Sequence, residues 1–160
     1  AARVVVRHPR VRFYFVGRSI SPEYARELSD LARTLGLEDR VVFTGFQGDV
    51  VAWLHRMDIT VLYSLHEGLG RAVVESQLAK RPVIGAAVGG IVESIEHGVT
   101  GLLVPPGDRE ALAAAIETLL ENPAAGARLA ETACARARDR HDVRRQAEEL
   151  AGCYRKLLAR

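Results

Sequence analysis

The chain is poor in the residues that mark several functional classes. It has two cysteines, Cys134 and Cys153, both in stretches that read as helix. Neither belongs to a Cys-x-x-Cys motif or a Cys/His cluster with metal-ligand spacing, so neither a zinc ribbon nor a redox dithiol is indicated. Two reduced thiols packed in helices are the expectation. The formal net charge is only +2. That is too small to argue for nucleic acid or a membrane surface, and no nucleic-acid partner is expected. No apolar run approaches the roughly 18 residues of a membrane span. The one early strand-to-loop glycine segment, Gly17-Arg18-Ser19-Ile20, lacks the Gly-x-Gly-x-x-Gly spacing, which argues against a nicotinamide dehydrogenase. There is no internal repeat and no low-complexity segment. A cytoplasmic location is expected.

What is present is ordinary in bulk and ordered in pattern. The 160 residues suit one domain, with 48% apolar and 26% charged residues. A chain of this size buries roughly 70% of its unfolded surface, so a core forms without disulfides. The opening Ala1–Pro9 stretch reads as the tail of a helix already under way, and more protein upstream is expected. Apolar β-rich runs at Val11–Val16, Arg40–Thr44, Asp58–Tyr63, Pro82–Gly85 and Gly101–Val104 read as strands. Helices are expected between them: Ser21-Pro22-Glu23 opens one and Gly36 stops it. Others follow from Val50, from about Gly70 to Lys80, and over Ile91–Glu96. Asp108 caps a further helix, Asn122-Pro123 restarts the chain as another, and residues 142–160 form a last one. The last helix carries a stripe of Ala147, Leu150, Ala151, Tyr154, Leu157 and Leu158. Short apolar strands alternating with helices predict an α/β fold, a Rossmann-like doubly wound parallel sheet covered on both faces. Ligands of such sheets lie outside the carboxyl ends of the strands.

The loop after the third strand carries the chemistry. It reads Ser64-Leu65-His66-Glu67-Gly68-Leu69-Gly70-Arg71-Ala72-Val73-Val74-Glu75. Gly68 and Gly70 bracket a helix start, where backbone can approach a ligand and N–H groups point outward toward a phosphate. Glu67 lies in the loop and Glu75 lies about one turn into the helix, so both can border one crevice. Carboxylates accept hydrogen bonds from hydroxyls, and a diphosphate between two hydroxyl-bearing groups describes a nucleotide sugar. Read alone, the same residues equally describe a charge favoured by the helix dipole and a solvated helix glutamate.

The segment resembles the glutamate–seven residues–glutamate signature of glycosyltransferase family 4, also called group 1. Further segments resemble that family in the same order. They are Phe43-Thr44-Gly45-Phe46, Arg81-Pro82-Val83-Ile84-Gly85, Val88-Gly89-Gly90-Ile91-Val92-Glu93, and the stretch from Gly98 to Asp108. The resemblance implies a GT-B fold of two Rossmann-like domains. This chain matches the C-terminal domain, which binds the donor; the N-terminal acceptor domain is absent from it. It further implies that the catalytic Glu67 contacts hydroxyls of the transferred sugar and that Glu75 contacts the ribose. Gly68 and the N–H groups of Leu69, Gly70 and Arg71 would lie at the diphosphate, with Gly45 and Phe46 at the base. Transfer would retain anomeric configuration without a metal ion or other cofactor.

Departures from the family pattern accompany the match. Lys80-Arg81 stands where a small residue and a glycine are usual, and Ala86-Ala87 where Thr-Asp or similar is usual. Tyr63 replaces a common proline and Leu69 a common phenylalanine. The family's diphosphate-gripping Arg and Lys have no counterpart in the chain. His66 beside Glu67 is expected to shape the pocket, and Arg18 to be a solvated loop cation. The basic run Arg136, Arg138, Arg140, Arg144 and Arg145 could touch an anionic membrane peripherally. Interleaved acids favour a salt-bridged surface instead. The expected function is the donor half of a retaining glycosyltransferase, inactive by itself. The alternatives are a stand-alone nucleotide-sugar-binding module and a GT-B nucleotide-sugar epimerase.

Overall fold

The computed structural model describes residues 1–158. In chain order the elements are α1 (Ala2–Arg7), β1 (Phe13–Val16), α2 (Pro22–Thr34), β2 (Val41–Gly45), α3 (Val50–His55), β3 (Thr60–Leu62) and α4 (Arg71–Leu78). They continue with β4 (Val83–Ala86), α5 (Ile91–Ser94), β5 (Leu102–Val104), α6 (Arg109–Glu121), α7 (Pro123–Arg140) and α8 (Val143–Leu158). The expected alternation of strand and helix is present.

Local chemistry starts most of the helices. The Ser21 hydroxyl accepts from the Tyr24 N–H with Pro22 behind it. Asp49 accepts from Ala52, Asp108 from Glu110 and Ala111, Asn122 from Ala125, and Asp142 from Arg144 and Arg145. Each carboxylate, amide or hydroxyl meets one or two of the N–H groups a helix start leaves unbonded. Among helices of eight or more described residues, α4 alone has no side-chain cap. Its N-cap is Gly70, in the left-handed region at φ 68°.

The strands are parallel throughout but form two sheets, β1-β2 and β3-β4-β5. Phe13 to Phe15 pair with Val41 to Phe43, Val16 pairs with Gly45 after a shift in register, and Gly17 adds an isolated bridge to Gly45. In the larger sheet Thr60–Leu62 pair with Val83–Gly85, and Ile84–Ala86 with Leu102–Val104. β3 is shorter than the expected Asp58–Tyr63: its ladder starts at Thr60 opposite Val83, the first residue of β4, and stops at Leu62 opposite Gly85. The α5 helix likewise stops at Ser94, not Glu96. The Ser94 carbonyl accepts from Gln77, and the Glu96 N–H donates to the Thr100 hydroxyl.

β4 is the centre of the core, with all four residues buried. On one side Ile84 joins Val4, Val104, Ala113, Ile116 and Leu119, bringing α1 and α6 onto the sheet. On the other, Val83 packs with Val73, Ile91 and Ile95 from α4, α5 and the chain after it. Coverage on both faces therefore holds for β4. The β1-β2 pair is more open: the Phe15 and Phe43 rings touch at 5.2 Å between centroids and remain 52% and 39% exposed.

α7 lies on α4, with the buried Cys134 thiol 3.7 Å from the Leu78 carbonyl oxygen and a Lys80–Glu131 ion pair at 2.9 Å. α8 differs from expectation. Its apolar stripe is present, but none of its described residues is buried. Cys153 is consequently exposed, not packed, because nothing among the described residues covers that face. Residues 159 and 160 of the expected last helix lie outside the described residues. Arg136 pairs with Glu96 and Arg140 with Glu93, while Arg145 bonds Asp139 and Glu149, so three of the five arginines of the basic run are salt-bridged. No described helix is long and apolar enough to cross a membrane.

Candidate functional site

The sequence-predicted residues fall into two groups, each at the carboxyl ends of strands. The first is the β3–α4 loop. After Leu62, the Tyr63 hydroxyl donates to the Pro105 carbonyl at 3.3 Å and so ties this loop to the end of β5. Glu67 is half-buried. One of its carboxylate oxygens accepts from the Ser64 hydroxyl at 3.3 Å, and the other accepts from the Gly68 N–H at 3.2 Å. The Gly68 amide is therefore engaged with Glu67. Among the described residues, no protein acceptor meets the N–H groups of Leu69, Gly70 or Arg71.

An uncapped helix start with three open amides is an anion site in waiting, because the dipole of α4 adds roughly half a positive charge there. The side chains beside it are arranged accordingly. Arg71 is exposed and lies 3.6 Å from Glu75, one turn on. Glu75 is partly exposed and is thus available to a hydroxyl. His66 is exposed and no hydrogen bond holds it among the described residues. Deeper in α4, Gln77 is 3% exposed and its side-chain amide donates to Ser94, fixing α4 against α5.

A feature the sequence reading missed lies at the β4–α5 loop. The Gly90 N–H donates to the Gly68 carbonyl at 2.7 Å. A Cβ on Gly89 would overlap the Glu67 carbonyl oxygen, and one on Gly90 would come within 2.9 Å of the Leu69 Cα. The two loops touch backbone to backbone, which only glycine permits. The Val88–Glu93 segment was visible as a string, but its contact with Glu67 and Gly68 was not.

The second group is the turn after β2. Gly45 takes φ 67° and its carbonyl accepts from the Gly17 N–H at 3.0 Å. Phe46 is 70% exposed, and the Arg18 guanidinium lies over its ring at 5.6 Å. Arg18 is thus a stacked cation and not merely a solvated one. Gln47, also missed, links the turn to α3. It donates to the Thr44 carbonyl at 2.8 Å and accepts from the Trp53 indole at 3.0 Å. Among the described residues, no hydrogen bond or ion pair joins the Gly45–Phe46 turn to the Glu67–Glu75 segment. The open cavity of about 750 Å³ lies elsewhere, between Glu93, Glu96, Arg136, Arg140 and Arg145. It is filled with paired charge and shares no residue with either group.

Residues 1–122 match the family model of the glycosyl transferases group 1. The chain belongs to that family. Among curated relatives, the group 1 domain is 33% identical over 133 residues to the alpha-D-kanosaminyltransferase of Streptomyces kanamyceticus. That match covers 82% of this chain and 34% of the relative. Among solved structures it superposes on Anabaena Alr3699/HepE in complex with UDP-glucose with a TM-score of 0.89. Identity there is 33%, over 97% of this chain and 44% of that one. The C-terminal domain of the group 1 protein LpcC from Francisella tularensis matches in fold, with a TM-score of 0.79 at 22% identity over 88% of this chain and 74% of that one. The group 1 domain thus has the fold of the C-terminal Rossmann-like domain of GT-B glycosyltransferases. It spans about a third of the length of the first curated relative, whose chain it covers to 34%.

Proposed function

We propose that the chain is the donor-binding domain of a retaining family 4 glycosyltransferase, taking a nucleotide-diphosphate sugar at the start of α4. The observation that carries this reading is the uncapped α4 N-terminus, set between Glu67 and Glu75. The Leu69, Gly70 and Arg71 amides meet the diphosphate. Glu75 accepts from the ribose hydroxyls and Glu67 from hydroxyls of the sugar. The Gly45–Phe46 turn borders the base. HepE, at 33% identity, is solved with UDP and with UDP-glucose, which makes uracil the first base to try.

In the transfer step negative charge builds on the departing diphosphate. Amides already aimed at that charge stabilise it without reorganising, which is where a preorganised helix start contributes most. Glu67 holds the sugar in place so that the bond to be broken stays aligned. In this reading the diphosphate is met by amides and cations rather than by a metal ion. The acceptor is held by a separate domain of a longer protein, so the 160 residues alone do not turn over.

Calorimetric titration with UDP, GDP, ADP and their glucose conjugates tests the reading. Binding of one nucleotide, weakened about tenfold or more by Glu75→Ala, is the expected outcome for loss of a charged hydrogen-bond acceptor. Binding of none, or affinity indifferent to Glu75→Ala, sinks the ribose role. Turnover of a nucleotide sugar by these 160 residues alone would overturn the division of labour.

A further inference from the structure

We propose that Gly89 and Gly90 are positioning residues that aim Glu67 and the Leu69 amide, acting through two peptide planes of the β3–α4 loop. The proposal rests on the donor-site reading above and adds to it which residues set the loop's geometry.

The argument follows from the planarity of the peptide bond. In a trans peptide the carbonyl oxygen and the N–H of one unit point in opposite directions and turn together. The Glu67–Gly68 unit has its oxygen against Gly89, where a Cβ would overlap it. The N–H of that same unit donates to the Glu67 carboxylate at 3.2 Å. Moving the oxygen to make room for a methyl group swings the N–H away from the carboxylate. Gly89 therefore controls which way the Glu67 side chain is held.

The next unit, Gly68–Leu69, has its oxygen held by the Gly90 N–H at 2.7 Å. Its N–H is the Leu69 amide, one of the three open donors at the start of α4. Gly90 therefore controls where that donor points. Conformation separates the two glycines. Gly89 has φ 47°, in the left-handed region, whereas Gly90 lies at φ −67°, which any residue adopts. At Gly90 the requirement is space alone.

The platform behind the loop is firm. Ile91 is fully buried in the core beside Val73 and Val83, and Gln77 bonds the last residue of α5. A substituted Gly89 or Gly90 thus displaces the β3–α4 loop more readily than its own.

The experiment is titration of the unsubstituted chain, Glu67→Gln, Gly89→Ala and Gly90→Ala with UDP and UDP-glucose, with thermal unfolding as the folding control. Gly89→Ala is expected to remove the preference for UDP-glucose over UDP, by about tenfold, while UDP affinity stays within about twofold. Gly90→Ala is expected to weaken both ligands together by about tenfold. A general loss of structure would not divide the two ligands in this way. If Glu67→Gln abolishes the preference and folded Gly89→Ala keeps it, the proposal is overturned. If Glu67→Gln has no effect, or the unsubstituted chain shows no preference, the sugar role of Glu67 has failed. The two planes are then judged by hydrogen exchange of the unsubstituted chain, as they are if a variant does not fold. Protection of both the Gly68 and the Gly90 N–H groups supports them, and exchange of either at the rate of an open amide overturns them.

Discussion

The side-chain amide of Gln77 donates to the carbonyl oxygen of Ser94 across 2.7 Å, joining the middle of α4 to the end of α5. Gln77 is 3% exposed, so its side-chain amide depends on this bond, while Ser94 is only partly buried. The bond matters beyond its own energy, because α5 carries the glycine pair that touches the loop of Glu67.

Replacing Gln77 by Leu keeps most of its volume and leaves the Ser94 carbonyl without its donor. A fully buried unmet acceptor costs about 1–3 kcal/mol, and for the part-buried Ser94 carbonyl that is the upper bound. Urea denaturation should show that loss, and the Gly90 amide should exchange faster with solvent. Wild-type stability in Gln77→Leu would show that the contact is not formed in solution.

Lys80 closes α4 in a conformation that suits glycine. It has φ 55°, its N–H donates to the Gln77 carbonyl, and the Arg81 N–H donates to the Ser76 carbonyl at 2.9 Å. That pair of bonds is a Schellman closure with lysine at the left-handed position. The strain of a non-glycine there is about 1–2 kcal/mol. The exposed Lys80–Glu131 pair returns at most about 1 kcal/mol. Lys80→Gly is therefore expected to stabilise the chain modestly, visible as a raised urea midpoint. A lowered midpoint would mean the ion pair outweighs the backbone strain. Lysine at this departure from the family pattern bears on stability and leaves the donor loop untouched.

Phe46 presents a 70% exposed ring with Arg18 on it, at the turn proposed to border the base. A base stacked on an aromatic ring is worth about 1–3 kcal/mol. Phe46→Ala should weaken UDP binding accordingly and leave thermal stability unchanged, because little of the ring is buried. Arg18→Ala should act in the same direction and less strongly. Unaltered UDP affinity in Phe46→Ala would place the base elsewhere.

The capped helix starts could be read from the chain because each such cap is a bond between near neighbours. Ser21 reaches Tyr24, and Asp108 and Asn122 reach residues two or three places on. The succession of strands along the chain could be read too, with ends misplaced by one or two residues, since a strand's limits depend on what its neighbour offers. The Asp58–Tyr63 run is trimmed at its start where β4 begins, with Thr60 opposite Val83. The Glu67–Glu75 segment was visible as a pattern of glycines and carboxylates, and its place after the third strand follows from the alternation of elements.

The linear pattern of residues was enough to determine the α/β class, the helix caps, the family and the segment proposed to carry the donor site. The tertiary structure decided what lies against what. It divided the strands into two sheets and left the apolar stripe of α8 and Cys153 open. It set Arg18 on Phe46, and it brought Gly89 and Gly90 against the backbone of Glu67 and Gly68. The reason is separation along the chain. A cap or a period joins residues a few places apart, whereas each of these contacts spans about 20 residues or more, or waits on a covering surface. Only the packed fold brings such residues together.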